Sequence, residues 1–248
     1  MELDRVVAVR TNKTIYRSGD KLVKIFNDHY SKSGILNEAL NLARVEETGL
    51  NVSKLQEVTK IDGKWALVLD YINGKSLDRL IHENPNKIDE YMEIFVNTQM
   101  EIHSKQARLL TILNDKVLRK LEDTDLDNIV KYDIQTKLAS FEQHNKVLHG
   151  DYQFSNVIIG DDNKIYVIDW SHATQGNDSA DVAMSYLQMI LNNSEDVAKK
   201  YLEIYSQKSG TSISYIKSWI PIVASTILNS CEKSQEETLR KFIEVVEY

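Results

Sequence analysis

The chain has 248 residues, 42% hydrophobic and 27% charged, enough for one large domain or two small lobes of ordinary globular composition. Its net charge of −7 argues against a nucleic-acid binder, and its one cysteine, Cys231, excludes an internal disulfide. No run approaches the ~20 apolar residues of a membrane span, and MELDRVVAVR lacks a signal peptide's apolar core, so the expectation is a cytoplasmic protein.

Two prolines and nine glycines point to a helix-rich chain with few turns. The first 72 residues are the strand-rich part. Val6 to Arg10, Ile15 to Arg17 and Leu22 to Phe26 read as strands, the last two joined by Ser18-Gly19-Asp20. A helix over Ser33 to Glu47 follows, with Ile35, Leu36, Ala39, Leu40 and Ala43 at helical spacing and Gly49 just past its end. Strands at Leu55–Thr59 and Trp65–Tyr71 flank the turn Asp62-Gly63, and a hinge lies near residues 71–75. Beyond it, Ser76–His82, Ile88–Ser104, Asn114–Leu121, Asp127–Gln143, Asp178–Asn192, Glu195–Ser206, Ser212–Asn229 and Glu236–Val246 read as helices. The expected domains are therefore an N-terminal lobe over residues 1–72 and a C-terminal lobe over 73–248. A cleft between two such lobes is a natural place for a ligand.

One stretch interrupts the helices: VLHGDYQFSNVIIGDDNKIYVIDW, residues 147–170. Val157 to Ile159 and Ile165 to Ile168 are short apolar runs around the turn residues Gly160-Asp161-Asp162-Asn163. Such a hairpin brings Asp151, Asn156 and Asp169 to one end of a small sheet. Two acids and an amide there can supply one general base and two oxygen ligands for Mg²⁺, the equipment of phosphoryl transfer. Asp and Asn also favour turns, so each alone is readable as turn chemistry. Lys24 lies inside the apolar strand Leu22-Val23-Lys24-Ile25-Phe26. A lysine there is either an edge residue facing water or a buried charge that needs a partner.

This order of elements resembles the aminoglycoside phosphotransferase and choline kinase family, small-molecule kinases with a protein-kinase-like fold. The resemblance runs from about residue 5 to at least 190 and rests on His149-Gly150-Asp151, Asn156 and Ile168-Asp169. Asn156 follows Asp151 by five residues, and Asp169 follows Asn156 by thirteen. The resemblance implies an α+β, two-lobed fold, with a strand-rich N-lobe and a mainly helical C-lobe holding the catalytic hairpin. It makes Asp151 the catalytic base and Asn156 and Asp169 the Mg²⁺ ligands. Lys24 becomes the phosphate-holding lysine and Glu38 the acid that orients it. Asp70, Tyr71, Ile72 and Asn73 become the hinge that meets the nucleotide base, and Asp181 a buttress of the catalytic loop. The implied partners are ATP or GTP with Mg²⁺ and a small-molecule hydroxyl acceptor, with no nucleic acid and no membrane.

The chain departs from that pattern in places. Thr11-Asn12-Lys13-Thr14, between the first two strands, has no glycine to bring backbone amides close to phosphates. The hydroxyl of Thr11 or Thr14, or the Lys13 ammonium, is the available substitute. Gln153 and Phe154 stand where relatives commonly carry His or Lys and then proline, and Trp170-Ser171 follow Asp169. Eleven residues separate Asp169 from Asp181, too few for the activation segment of a protein kinase. An alternative is a kinase-fold regulatory protein that binds nucleotide with little turnover. The acceptor and the oligomeric state are left open. Glu195, Asp196, Glu203, Glu232, Glu236 and Glu237 can line a cation pocket or form a solvated face. Leu239, Phe242, Ile243 and Val246 form an apolar stripe that reads as core.

Overall fold

The structure, a computed structural model, describes residues 3–192 and 194–244. Val246 lies outside the described residues. By packing, the chain divides into two units. The first holds the described residues up to Ile88 together with Phe154–Ala173, and the second holds Asp89–Gln153 and the described residues from Thr174 onward. The hairpin within Phe154–Ala173 thus packs with the N-terminal strands.

The first unit begins with strands β1 (Arg5–Val9), β2 (Lys13–Ser18) and β3 (Lys21–Phe26), then helix α1 (Lys32–Glu46). Strands β4 (Leu55–Ile61) and β5 (Lys64–Asp70) complete a five-stranded antiparallel sheet in the order β1-β2-β3-β5-β4. The turn between β4 and β5 is tight because Asp62 and Gly63 both take positive φ, 49° and 81°. Such a turn matches the twist of the strands it joins. Ser31 caps α1 by accepting a hydrogen bond from the Gly34 N–H at 3.1 Å. The apolar stripe of α1 (Ile35, Ala39, Leu42, Val45) is buried, as are Val23 and Phe26 of β3 and Ala66 to Leu69 of β5.

Strand β6 (Gly74–Ser76) and helix α2 (Leu77–Glu83) follow. No side-chain pattern marks β6 as a strand. It pairs with β8 (Val157–Gly160), which pairs with β9 (Ile165–Val167), so the hairpin supplies the central strand and one edge of a three-stranded sheet. Backbone strands find one another through free N–H and C=O groups, which side-chain pattern does not report.

The second unit contains α3 (Ile88–His103, its first residue counted with the first unit), α4 (Leu113–Glu122), α5 (Asn128–Ser140), strand β7 (Lys146–Leu148), strand β10 (Thr174–Gly176), α6 (Asp178–Leu191), α7 (Glu195–Ser209), α8 (Ile213–Ser218), α9 (Ile220–Ile227) and α10 (Lys233–Glu244). Strand β7 does not join the hairpin; it pairs with β10, a second strand the sequence did not announce. The helix expected over Ser212–Asn229 is broken into α8 and α9. Pro221 sits in the first turn of α9, where its missing N–H costs nothing, and would have cost a hydrogen bond inside one continuous helix. The core includes Met92, Phe95, Ile102, Leu121, Ile134, Leu187, Tyr201 and Ile222, all buried. Among the described residues no helix is long and apolar enough to cross a membrane.

Candidate active site

Two clusters hold the candidate residues, one in each unit. In the first, Lys24 sits on β3 opposite Ile15 of β2 and Leu67 of β5, so it lies on a central strand and is only 7% exposed. Its Nζ donates to Glu38 Oε1 on α1 at 2.7 Å and to Asp169 Oδ1 at 3.2 Å. Burial alone would depress the Lys24 pKa. The charges of Asp169 and Glu38, with their hydrogen bonds, reverse that and hold it well above the usual lysine value.

Lys13, the first residue of β2, joins this cluster. Its Nζ donates to both Glu38 carboxylate oxygens at 3.1 Å and lies 3.6 Å from Asp169 Oδ1. Two ammoniums therefore face two carboxylates. The turn before it is tied down by three hydrogen bonds: Arg10 N–H to the Lys13 carbonyl at 2.9 Å, Asn27 N–H to the Asn12 carbonyl at 2.9 Å, and Asn27 Nδ2 to the Thr11 carbonyl at 2.9 Å. Thr14 lies within β2, opposite Ile25 and Val9.

The hairpin places Asn156 directly before β8 and Asp169 two residues after β9. Because Val157 pairs with Val167, both residues stand at the same end of that pair. The Asn156 carbonyl accepts from the Ile168 N–H at 2.9 Å, which ties the two chain segments together. Asn156 is buried, whereas the Asp169 side chain is 32% exposed. Asp169 adopts a left-handed backbone, φ 65°, which Asp tolerates better than most residues. Trp170 is buried next to it, and its indole N–H donates to the Val167 carbonyl at 2.9 Å. An amide and a carboxylate are hard oxygen donors of the kind Mg²⁺ takes, usually with substrate phosphates completing its shell. The donor set fits that ion. Among the described residues no group of three or more His, Cys, Asp or Glu side chains is arranged to hold a metal by itself.

The expected hinge residues close β5. Asp70 Oδ1 accepts from Gln56 Nε2 at 2.7 Å, and the Asp70 carbonyl accepts from the Ser53 hydroxyl at 2.5 Å. The Tyr71 N–H is engaged by the Asp20 carbonyl at 2.8 Å, and the Arg17 guanidinium stacks 4.1 Å from the Tyr71 ring centre. Ile72 is half-buried.

In the second unit, Asp151 follows β7 through His149 and Gly150, whose φ of 78° favours glycine. Helix α6 holds this segment along one face. Residues 178, 181, 185 and 188 recur at three- and four-residue steps, so they project the same way. Asp178 Oδ2 accepts from Lys146 Nζ at 2.8 Å. Asp181 Oδ1 accepts from the Gly150 N–H at 2.7 Å, and its Oδ2 from the His149 N–H at 3.2 Å. Ser185 donates to the Tyr152 carbonyl at 2.8 Å, and Gln188 Nε2 donates to Asp151 Oδ1 at 2.6 Å. A second amide, Gln153 Nε2, donates to the same oxygen at 2.8 Å.

Asp181 is 3% exposed, and burial acts to raise its pKa. The His103 hydrogen bond at 3.0 Å, the charges of His103 and His149, and the Gly150 N–H outweigh burial and keep it below the usual carboxylate value. Since a carboxylate cannot donate, His103 Nε2 carries the proton. The Tyr152 hydroxyl donates to the Phe95 carbonyl at 2.8 Å, and the two rings lie 4.3 Å apart. The loop is thus anchored from α3 as well as α6.

Sequence reasoning missed Gln188, His103 and Ser185. The one available signal was helical phase: Ser185 and Gln188 share a face with Asp181. Nothing in the sequence marked His103, which comes from a different helix.

A family model described as the phosphotransferase enzyme family matches residues 3–212. Among solved structures, the chain is similar to a thermostable mutant of aminoglycoside phosphotransferase APH(4)-Ia, 11% identical, covering 98% of this chain and 93% of that one, with a TM-score of 0.69. It is also similar to the choline kinase LicA from Streptococcus pneumoniae, 16% identical, covering 98% and 93%, TM-score 0.65. A choline/ethanolamine kinase family protein from Mesorhizobium loti is 14% identical, covering 99% and 89%, TM-score 0.62. Another structure of the aminoglycoside phosphotransferase is a ternary complex with AMP-PNP and hygromycin B. No curated protein sequence matches the chain significantly. At these identities the solved structures speak for the fold, which is protein-kinase-like. The match over residues 3–212 goes further: the chain belongs to the phosphotransferase enzyme family.

Proposed function

We propose that this protein transfers the γ-phosphate of ATP or GTP to a hydroxyl group of a small molecule. The observation that carries this reading is the buried Lys24–Glu38 pair with Asp169 on the same ammonium, at 2.7 and 3.2 Å. Phosphoryl transfer depends mostly on positioning and charge stabilisation, and a fixed buried cation beside a part-exposed carboxylate supplies both. In this reading Lys24 holds the nucleotide's phosphates and Glu38 orients Lys24. Lys13 and Thr14 contribute charge and a hydroxyl where the preceding turn has no glycine. Asp70, Tyr71 and Ile72 meet the nucleotide base through backbone groups other than the Asp70 and Tyr71 N–H groups, which the Lys54 and Asp20 carbonyls engage.

Asn156 and Asp169 are the residues that would hold Mg²⁺, and the bound ion supplies neutralising charge to the phosphates. Asp151 takes the proton of the acceptor hydroxyl as its oxygen attacks the γ-phosphorus and the bond to the nucleotide's leaving oxygen breaks. The nucleotide analogue and the small molecule in the similar aminoglycoside phosphotransferase support the assignment of donor and acceptor classes.

The test is Mg²⁺-dependent ADP or GDP release with and without acceptors, beside Asp151→Ala. The panel covers aminoglycosides, amino alcohols, sugars and sugar acids. Acceptor-stimulated release that falls ~10²–10⁴-fold in a folded Asp151→Ala supports a base role. Near-normal turnover in that variant removes the role assigned to Asp151. Nucleotide binding with no transfer to any acceptor favours a regulatory nucleotide-binding protein instead.

A further inference from the structure

Gln188 does more than touch Asp151. A carboxylate only accepts hydrogen bonds, so the Gln188 amide must turn its nitrogen toward Asp151, as it does at 2.6 Å. This orientation commits the other end of the amide. Gln188 Oε1 is buried and meets no donor among the described residues. A buried carbonyl oxygen without a donor is costly, and such atoms are rare in folded proteins. The Gln188 residue as a whole is half-buried. The unmet acceptor is therefore one amide group away from the proposed base.

The charges around it argue about which donor arrives. Lys116, on α4, lies within electrostatic reach of Asp151 and Asp181. Burial and the neighbouring charges of Lys120 and Arg119 bring its pKa down to about 8. The two α6 carboxylates are already held: Asp181 by His103, His149 and Gly150, and Asp178 by Lys146 and His144. The acids of the last third do not offer a cation pocket either. Glu195, Asp196, Glu203, Glu232 and Glu237 are exposed, and Glu236 pairs with Arg240 at 2.8 Å. An ammonium beside Asp151 would meet the lysine and arginine charge of α4.

We propose that Gln188 is a positioning and specificity residue. Its amide nitrogen fixes Asp151, and its amide oxygen accepts a hydrogen bond from a second hydroxyl of the acceptor, which is a neutral or anionic polyol with adjacent hydroxyls. This rests on the phosphotransferase reading of Asp151.

The experiment is steady-state kinetics of acceptor-dependent ADP release with three matched sets. They are vicinal polyols and sugar acids, their single-deoxy analogues, and aminoglycosides with amino alcohols. Wild type is compared with Gln188→Leu, whose folding is checked by circular dichroism and thermal melting, and with Gln188→Glu. Wild type is expected to prefer diols over the deoxy analogues by about 10- to 100-fold in kcat/KM. In Gln188→Leu both sets slow, and that preference collapses to within about threefold. A merely structural role would slow both sets and leave the ratio intact. Gln188→Glu, which adds an anion, shifts the ranking toward amino alcohols. Survival of the diol preference in Gln188→Leu overturns the proposal. So does a wild-type preference for aminoglycosides or amino alcohols with Asp151-dependent turnover, which leaves the phosphotransferase reading standing. Nucleotide binding without stimulation by any set removes both.

Discussion

At the scale of single residues, the first unit is organised by charge taken out of water. Lys24 and Glu38 are 7% and 4% exposed, and neither is tolerable there without the other. The need for a partner was legible because a lysine in the middle of an apolar strand demands one; the next helix offered Glu38 beside Glu46 and Glu47, and the resemblance pointed to Glu38. The second ammonium on the same acids was less legible. Lys13 looks like a turn residue in sequence, and only strand pairing with β3 brings it over Phe26 and onto Glu38. Glu38→Gln keeps the shape and removes the charge, leaving Lys24 with Asp169 alone. We expect a loss of about 2–4 kcal/mol, read as a lower urea midpoint at unchanged slope. A loss under about 0.5 kcal/mol would mean that the pair brings no net stability and serves orientation only.

Among elements, α6 and the β6–β8 pairing do most to place the candidate residues. The polar stripe of α6 grips the chain from Lys146 to Tyr152, so the loop carrying Asp151 is held by backbone hydrogen bonds as well as by its own geometry. Helical phase could have suggested that stripe; what it touches could not be read from phase. Strand β6 had no side-chain signature, being three residues that open on glycine. Gly74 has a φ of 155°, and a Cβ there would lie 2.3 Å from the Ile159 carbonyl oxygen and 2.9 Å from the Gly160 Cα. Both obstacles are backbone and cannot swing aside. Gly74→Ala should therefore cost at least about 2 kcal/mol. In a chain of this length that is a fall of roughly 4–8 °C in melting temperature. An unchanged melting temperature would show that β6 shifts freely against β8.

Over the whole molecule, the buried carboxylates set a pH limit. For Asp181 and Asp178 burial pushes the pKa up, but hydrogen bonds and neighbouring charge more than compensate, and both sit below the usual carboxylate value. A depressed folded pKa stabilises the fold fully above the unfolded value, about 3.9, and that contribution is lost as pH falls through the folded value. The urea midpoint should stay flat from about pH 7 to 5 and drop below about pH 4, with a shallower acid limb in Asp181→Asn. An acid limb identical in the variant would remove Asp181 as its source. Other features divide by the range of the physics behind them. The sequence by itself determined the strand-rich start, the helices and the turn at Asp62-Gly63, because periodicity, capping and positive-φ preference act over a few residues. It also determined the spacing of Asp151, Asn156 and Asp169, which is a covalent property of one segment. Only the tertiary structure decided that β7 pairs with β10, that Lys13 joins Lys24 on Glu38, and that His103 and Gln188 come to Asp181 and Asp151. Those outcomes depend on which distant backbone edges pair and which buried charges find partners, and residues 78 or 37 positions apart in the chain carry no mutual mark in the sequence.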